Sequence, residues 1–169
     1  MSGLKWFEYF KYLLPEESHE SHLKLQERCF YISETKSDII LDYIKPNDYA
    51  HQVLSKIMKQ HKQILISNTA SSHLKIFLNS VEMEKYFPKG FSFGIGAHTN
   101  NKTKIRCLEK FLENKEFENI IIIGDSKSDM NLKYVAGGIS YLYAHPEKPF
   151  RACDADYKIN DLREILKEI

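Results

Sequence analysis

The sequence predicts an α/β fold, a three-layer sandwich built around a mostly parallel sheet. Three observations carry that expectation. Short apolar runs rich in β-branched residues alternate with segments of helical periodicity. Some runs, above all Ile120 to Ile123, are continuously apolar, as strands covered on both faces are. Two of these runs end in small polar or acidic residues, and α/β sheets gather their ligands beyond such strand ends.

The elements follow in order. Trp6, Phe7, Phe10, Leu13 and Leu14 recur at helical spacing, so Leu4 to Leu14 reads as an amphipathic helix that Pro15 ends. Glu16 to Ser21 is polar and reads as a loop, and Leu23 to Arg28 as a short helix. Cys29-Phe30-Tyr31-Ile32 is rich in β-formers and reads as a strand. Pro46-Asn47-Asp48 signals a helix start, and that helix runs to about His61. Ile64 to Ile66 is a strand, Ser71 to Val81 a helix, and Phe91, Phe93 and Ile95 alternate as a strand does. Thr103 to Asn114 is a helix with Ile105, Leu108, Phe111 and Leu112 inward. Ile120 to Ile123 is the strongest strand, followed by a short helix after Asp129. Ile139 to Tyr143 is a strand and Asp161 to Ile169 a terminal helix. The expected division is a helical segment at 1–28 and an α/β core at 29–169 with little or no cap.

Composition sets the outer bounds. The chain has 169 residues, enough for one domain with its own core. Its 43% hydrophobic and 28% charged residues match a soluble globular protein. The net charge of +1 gives no global field that would draw it to nucleic acid or an anionic membrane. Three cysteines without paired spacing argue against a disulfide framework or zinc site and for a reducing cytoplasm. The N-terminal stretch lacks the continuous apolar region of a signal peptide, and no apolar run approaches the length of a membrane span.

The chemistry-bearing residues sit at two strand ends. Ile64 to Ile66 leads into Ser67-Asn68, a hydroxyl and a backbone amide entering a helix, which suits a phosphoryl oxygen. The isoleucine run leads into Gly124-Asp125-Ser126-Lys127-Ser128-Asp129, where the glycine is expected to allow a tight turn. Asp125 and Asp129 share a side if a helical turn forms there. Two such carboxylates repel unless a cation compensates, and a hard divalent ion such as magnesium fits oxygen ligands. Lys102, before the helix starting near Thr103, is placed to neutralise a phosphoryl group or carboxylate, with Lys104 as the competing choice. His19-Glu20-Ser21-His22 has the look of a metal pair but lacks a third ligand and is expected in solvent. His73 and His98 are expected at the surface or as caps.

A hydroxyl after a strand, a lysine before a helix, then an apolar strand ending GDxxxD: in this order and spacing the chain resembles the haloacid dehalogenase (HAD) superfamily over roughly Asp48 to Ile169. Ser67 matches that family's second motif, Lys102 its third, and Asp125 with Asp129 its fourth. The resemblance implies a Rossmann-like sheet and magnesium-dependent hydrolysis of a phosphate monoester, with a small phosphorylated molecule as substrate. It also implies a first motif, D-x-D-x-T after a strand, whose first aspartate attacks phosphorus and whose second moves a proton. No such motif precedes Ser67. Asp154-Ala155-Asp156 comes after the fourth motif and reads as a turn.

Two accounts of the first motif stay open. In one, Cys29 to Ile32 is the first strand, and Ser33 and Thr35 stand at the nucleophile and acid–base positions, about 34 positions before Ser67. The site is then degenerate, because neither hydroxyl has an evident base or a useful pKa. In the other, the residues before Asp48 form a helical cap, and the first strand lies outside this sequence. The sheet then lacks a central strand and carries a large apolar gap. Either way an enzyme and a non-catalytic binder of a phosphorylated ligand or protein are both compatible with the residues. An uncapped site of this kind is sometimes closed by a neighbouring subunit.

Overall fold

The computed structural model describes residues 6–36, 43–96 and 103–169. Two helices open the chain, α1 (Trp6–Leu13) and α2 (His19–Thr35), and they pack as a hairpin. Ser18 caps α2, its hydroxyl accepting the N–H of Ser21 at 3.1 Å. His22, expected in solvent, is buried and donates from Nε2 to the Leu14 carbonyl at 2.8 Å, tying the start of α2 to the end of α1.

The strand expected at Cys29 to Ile32 is helix. The inward residues of α2 are His22, Leu25, Gln26, Cys29 and Phe30, a spacing of three and four that only a helix satisfies. The β-preference of four residues cannot break a helix of 17 that buries one continuous stripe. The boundary drawn after residue 28 therefore falls inside α2. Ser33 and Thr35 sit on its last turns, and the Thr35 hydroxyl donates to the Tyr31 carbonyl at 2.7 Å.

The α/β part begins with α3 (Ala50–Ile57), then strand β1 (Leu65–Ser67) and helix α4 (Ser71–Ser80). A 3₁₀ turn at Glu84–Tyr86 leads to β2 (Ser92–Gly94), which pairs parallel with β1 in the register Ile66 to Phe93. Helix α5 (Lys104–Leu112) is capped by Thr103, whose hydroxyl accepts the N–H of Arg106. Strand β3 (Ile121–Gly124) is followed by the short helices α6 (Lys127–Met130) and α7 (Lys133–Ala136). Strands β4 (Ile139–Tyr143) and β5 (Tyr157–Ile159) complete a second parallel group in the order β3-β4-β5. A 3₁₀ helix, Leu162–Lys167, stands where a terminal α-helix was expected.

Three layers result, with parallel strands in the middle as predicted. On one face Leu108, Ile122, Met130, Leu132 and Leu142 form a core to which Ile64 and Ile66 add. On the other, Tyr141, Tyr143, Ile159 and Ile165 pack with Ile57 of α3 and Ile121. The middle layer differs from expectation in one respect: the described strands form two sheets, β1-β2 and β3-β4-β5, with no ladder between β1 and β3. Among the described residues no helix is long and apolar enough to cross a membrane.

Asp154 and Asp156 close this core. The Asp156 carboxylate accepts the Ser140 hydroxyl at 2.7 Å and the Ser140 N–H at 2.8 Å, while Lys133 lies 3.0 Å from Asp154 and 3.3 Å from Asp156. Ser140 is fully buried in β4, so these bonds satisfy polar groups that water does not reach. The D-x-D near the C-terminus is thus a clamp between β4, α7 and the start of β5.

The Ser140 hydroxyl and N–H, then Lys133, hold the Asp156 carboxyl down at about 2. An unfolded aspartate titrates near ~3.9, so this contribution to stability is complete above that pH and is lost as pH falls towards 2. Asp156→Asn should lower Tm by a few degrees at pH 7, and the gap from the parent chain should narrow as thermal melts are taken from pH 4 to pH 2. An unchanged gap at the acid end would refute this role.

Candidate active site

The carboxyl ends of the strands carry the polar residues. At the end of β3, Gly124 passes directly beneath the side chain of Asp129: a Cβ built on Gly124 would lie 2.2 Å from Asp129 Cβ. Close approach, rather than the turn expected from the sequence, is what requires glycine here. Asp129 reaches back over this glycine to cap its own helix. Its Oδ2 accepts the Ser126 N–H at 3.1 Å and the Ser126 hydroxyl at 2.7 Å, the acidic half of a capping box. Its Oδ1 accepts Lys104 Nζ at 2.5 Å. Both side chains are nearly buried, 11% exposed for Lys104 and 12% for Asp129.

Lys104 is the first residue of α5, so its ammonium reaches Asp129 from the helix that packs on β1. The lysine facing the GDxxxD turn is therefore Lys104, the competing choice; Lys102, like His98, lies outside the described residues.

Asp125 points the other way. It is exposed at the tip of β3, and Arg151 Nη2 lies 3.1 Å from its Oδ2. The two line a cleft of about 230 Å³ with Asn47, Tyr143, His145 and Lys148. Among the described residues Asp125 is the only carboxylate in that lining, and Lys148 and Arg151 make the cleft cationic around it. A space of this size suits a phosphoryl group and a small ion better than a large ligand.

Ser67 ends β1, in the other sheet, where its hydroxyl accepts the Thr69 N–H at 3.2 Å; Asn68 is exposed beside it. That bond orders the turn into α4, and the hydroxyl proton remains available to a ligand oxygen. The structure thus joins Lys104 with Asp129 and Asp125 with Arg151, and sets Ser67 and Asn68 at the end of β1, in the other sheet. It leaves Ser33 and Thr35 on the last turns of α2 rather than after a strand. His73, expected at the surface, is 4% exposed between the rings of Phe30 and Phe77.

Two site residues escaped the sequence reading. Ser126 had a signal, since serine three positions before an acidic residue is the mark of a capping box. Arg151 had none: it lies in an aperiodic loop.

As a metal site this is partial. Asp129 has both oxygens committed to Lys104 and Ser126, leaving Asp125 as the exposed ligand. Among the described residues no three His, Cys, Asp or Glu side chains converge as a cage. Magnesium is commonly held by one or two carboxylates together with water and substrate phosphate, so Asp125 fits as one ligand of such a sphere.

No family model and no curated protein matches the sequence. Solved structures do. A haloacid dehalogenase-like hydrolase of Streptococcus pneumoniae aligns at a TM-score of 0.73 and 16% identity, over 98% of this chain and 77% of that one. A HAD family hydrolase of Deinococcus radiodurans, solved with bound phosphate and sodium, aligns at 0.67 and 13% identity over 98% and 75%. YfnB of Bacillus subtilis, a HAD-type protein solved with magnesium, aligns at 0.57 and 17% over 72% and 54%. The chain has the HAD-like fold, a parallel Rossmann-type α/β core with the helical hairpin beside it.

Removing Lys104 strands a nearly buried carboxylate, which costs about 3 kcal/mol. Lys104→Met should lose about that much stability in chemical denaturation, and combining it with Asp129→Asn should cost less than the two changes summed. Gly124→Ala should be at least as damaging, because a methyl group there collides with Asp129.

Proposed function

We propose that the chain is the phosphate- and metal-holding core of a magnesium-dependent phosphate monoester hydrolase. The observation that carries this is the arrangement at the end of β3: one carboxylate buried and locked to a lysine, the next exposed to a small cationic cleft. In this reading Asp125 binds the metal, Ser67 and the amide after it hold a phosphoryl oxygen, and Lys104 supplies fixed positive charge beside them. Magnesium, when bound, draws charge from the phosphoryl oxygens and offsets their repulsion of a nucleophile. Arg151 occupies Asp125 in its absence. Arg151 is one-third exposed and Asp125 about half, so solvent screens their pairing and a divalent ion can compete for it.

The attacking group is a separate matter. Ser33 and Thr35 lie on α2, and no second carboxylate lines the cleft among the described residues. We therefore propose that these 169 residues alone bind magnesium and a small phosphorylated molecule but hydrolyse it poorly. The described residues hold groups suited to HAD chemistry, without a carboxylate placed to attack phosphorus. The helical position of Ser33 and Thr35 also keeps a second reading in play, a non-catalytic binder of phosphorylated ligands.

Magnesium with inorganic phosphate should raise the Tm of the chain, and Asp125→Asn should abolish that rise. Arg151→Ala should tighten magnesium several-fold in calorimetric titration by removing the competing cation. Hydrolysis of p-nitrophenyl phosphate by the chain should equal that of Asp125→Asn. Turnover that depends on Asp125 would mean that the nucleophile is within these residues after all.

A further inference from the structure

The cleft at the end of β3 carries more positive charge than the hydrolase reading uses. Lys148 and Arg151 line it, against the single carboxylate of Asp125 among the described residues. Ser67 and Lys104, assigned to the phosphoryl group, do not line it. Arg151 is engaged with Asp125, whereas the Lys148 ammonium has no ion pair among the described residues. A metal held by Asp125 would add positive charge to the same place. Unmatched cations in a cleft favour a ligand that brings negative charge of its own.

The loop that presents these cations is held in shape. It leaves β4 after Tyr143, where the Ala144 N–H bonds to the Ile159 carbonyl at 3.0 Å. The chain then turns over His145-Pro146-Glu147-Lys148, and the His145 carbonyl accepts the Lys148 N–H at 2.7 Å. Proline at the second position of such a turn has its backbone angle preset. Pro149 fixes the next residue in the same way. The turn sorts its charges: His145 and Lys148 line the cleft and Glu147 does not. On the far side the Arg151 carbonyl accepts the Cys153 N–H at 3.0 Å, and Cys153 packs against the core. A loop fixed at both ends loses little freedom when a ligand binds.

Arg151 shows what these cations take. Its Nη2 holds the Asp125 carboxylate at 3.1 Å. With Asp125 engaged by a metal, the guanidinium loses that carboxylate, and its planar fork of N–H donors suits another. The volume of about 230 Å³ admits a chain of a few atoms rather than a large ligand. We infer that the 145–151 loop is a carboxylate subsite, in which Lys148 and Arg151 hold a carboxylate of the ligand and His145 adds a ring N–H. The ligand class is a small phosphate ester that also carries a carboxylic acid. The phosphoryl half of that description rests on the hydrolase reading, and the carboxylate half rests on the loop alone.

The test is calorimetric titration of the whole chain, in saturating magnesium, with two probes that cannot be hydrolysed. Phosphonopropionate and propylphosphonate are alike except that the first ends in a carboxylate where the second has a methyl group. Phosphonopropionate should bind about tenfold more tightly. Lys148→Gln should remove most of that preference and leave the affinity for propylphosphonate little changed. Lys148 is exposed, so the variant should fold as the parent does. Failure of phosphonopropionate to bind, equal affinity for the two probes, or an equal loss of both in Lys148→Gln would overturn the inference. The Tm rise with magnesium and inorganic phosphate would persist in each of those cases if the hydrolase reading holds. A carboxylate preference that survives in Asp125→Asn, with magnesium affecting neither probe, would leave the subsite standing and overturn the hydrolase reading.

Discussion

The Lys104–Asp129 ion pair is the interaction on which the rest of the site depends. Lys104 begins the helix that packs on β1, and Asp129 belongs to the turn after β3. Their contact ties one sheet to the other where, among the described residues, no backbone ladder does. The cost of burying both charges is offset because Ser126 satisfies the other carboxylate oxygen, and because Gly124 leaves room for Asp129 to lie flat against the strand. With Asp129 committed inward, Asp125 is left to face the cleft. One aspartate builds the turn and the other lines the cleft.

Much of this was legible in the sequence because it is local. Ile120 to Ile123 with its following GDxxxD needs only nearest neighbours to be recognised, and so does the helix from Ser71. Cys29 to Ile32 misled because β-preference was read over four residues, whereas the inward stripe from His22 to Phe30 is visible only over three turns. Arg151 was invisible for the opposite reason: its partner is set by a loop whose path no periodicity encodes. Gly124 was identified for the wrong cause, since a glycine needed for close approach and one needed for a turn look the same in sequence.

The division of the sheet is the least legible feature, because strand pairing is a long-range property. The strands at Ile64 to Ile66 and Ile120 to Ile123 were placed to within a residue, yet nothing in either run states which neighbours it has. What the composition does state is that both runs expect cover on two faces. The half-exposure of β1 and the exposure of Ile123 are therefore read against the sequence's own preference.

The strand edges that have no ladder partner among the described residues bear on the chain in solution. A row of unpaired N–H and C=O groups on isoleucine-rich strands is a template for self-association. The run Ile120 to Ile123 is bracketed by Glu116 and Glu118 on one side and Asp125 on the other. Charges in those places act as gatekeepers, because stacking two copies in register would bring like carboxylates together. In the proposed reading Asp125 therefore serves twice: the carboxylate that would hold a metal also sets like charge against like in any such stacking.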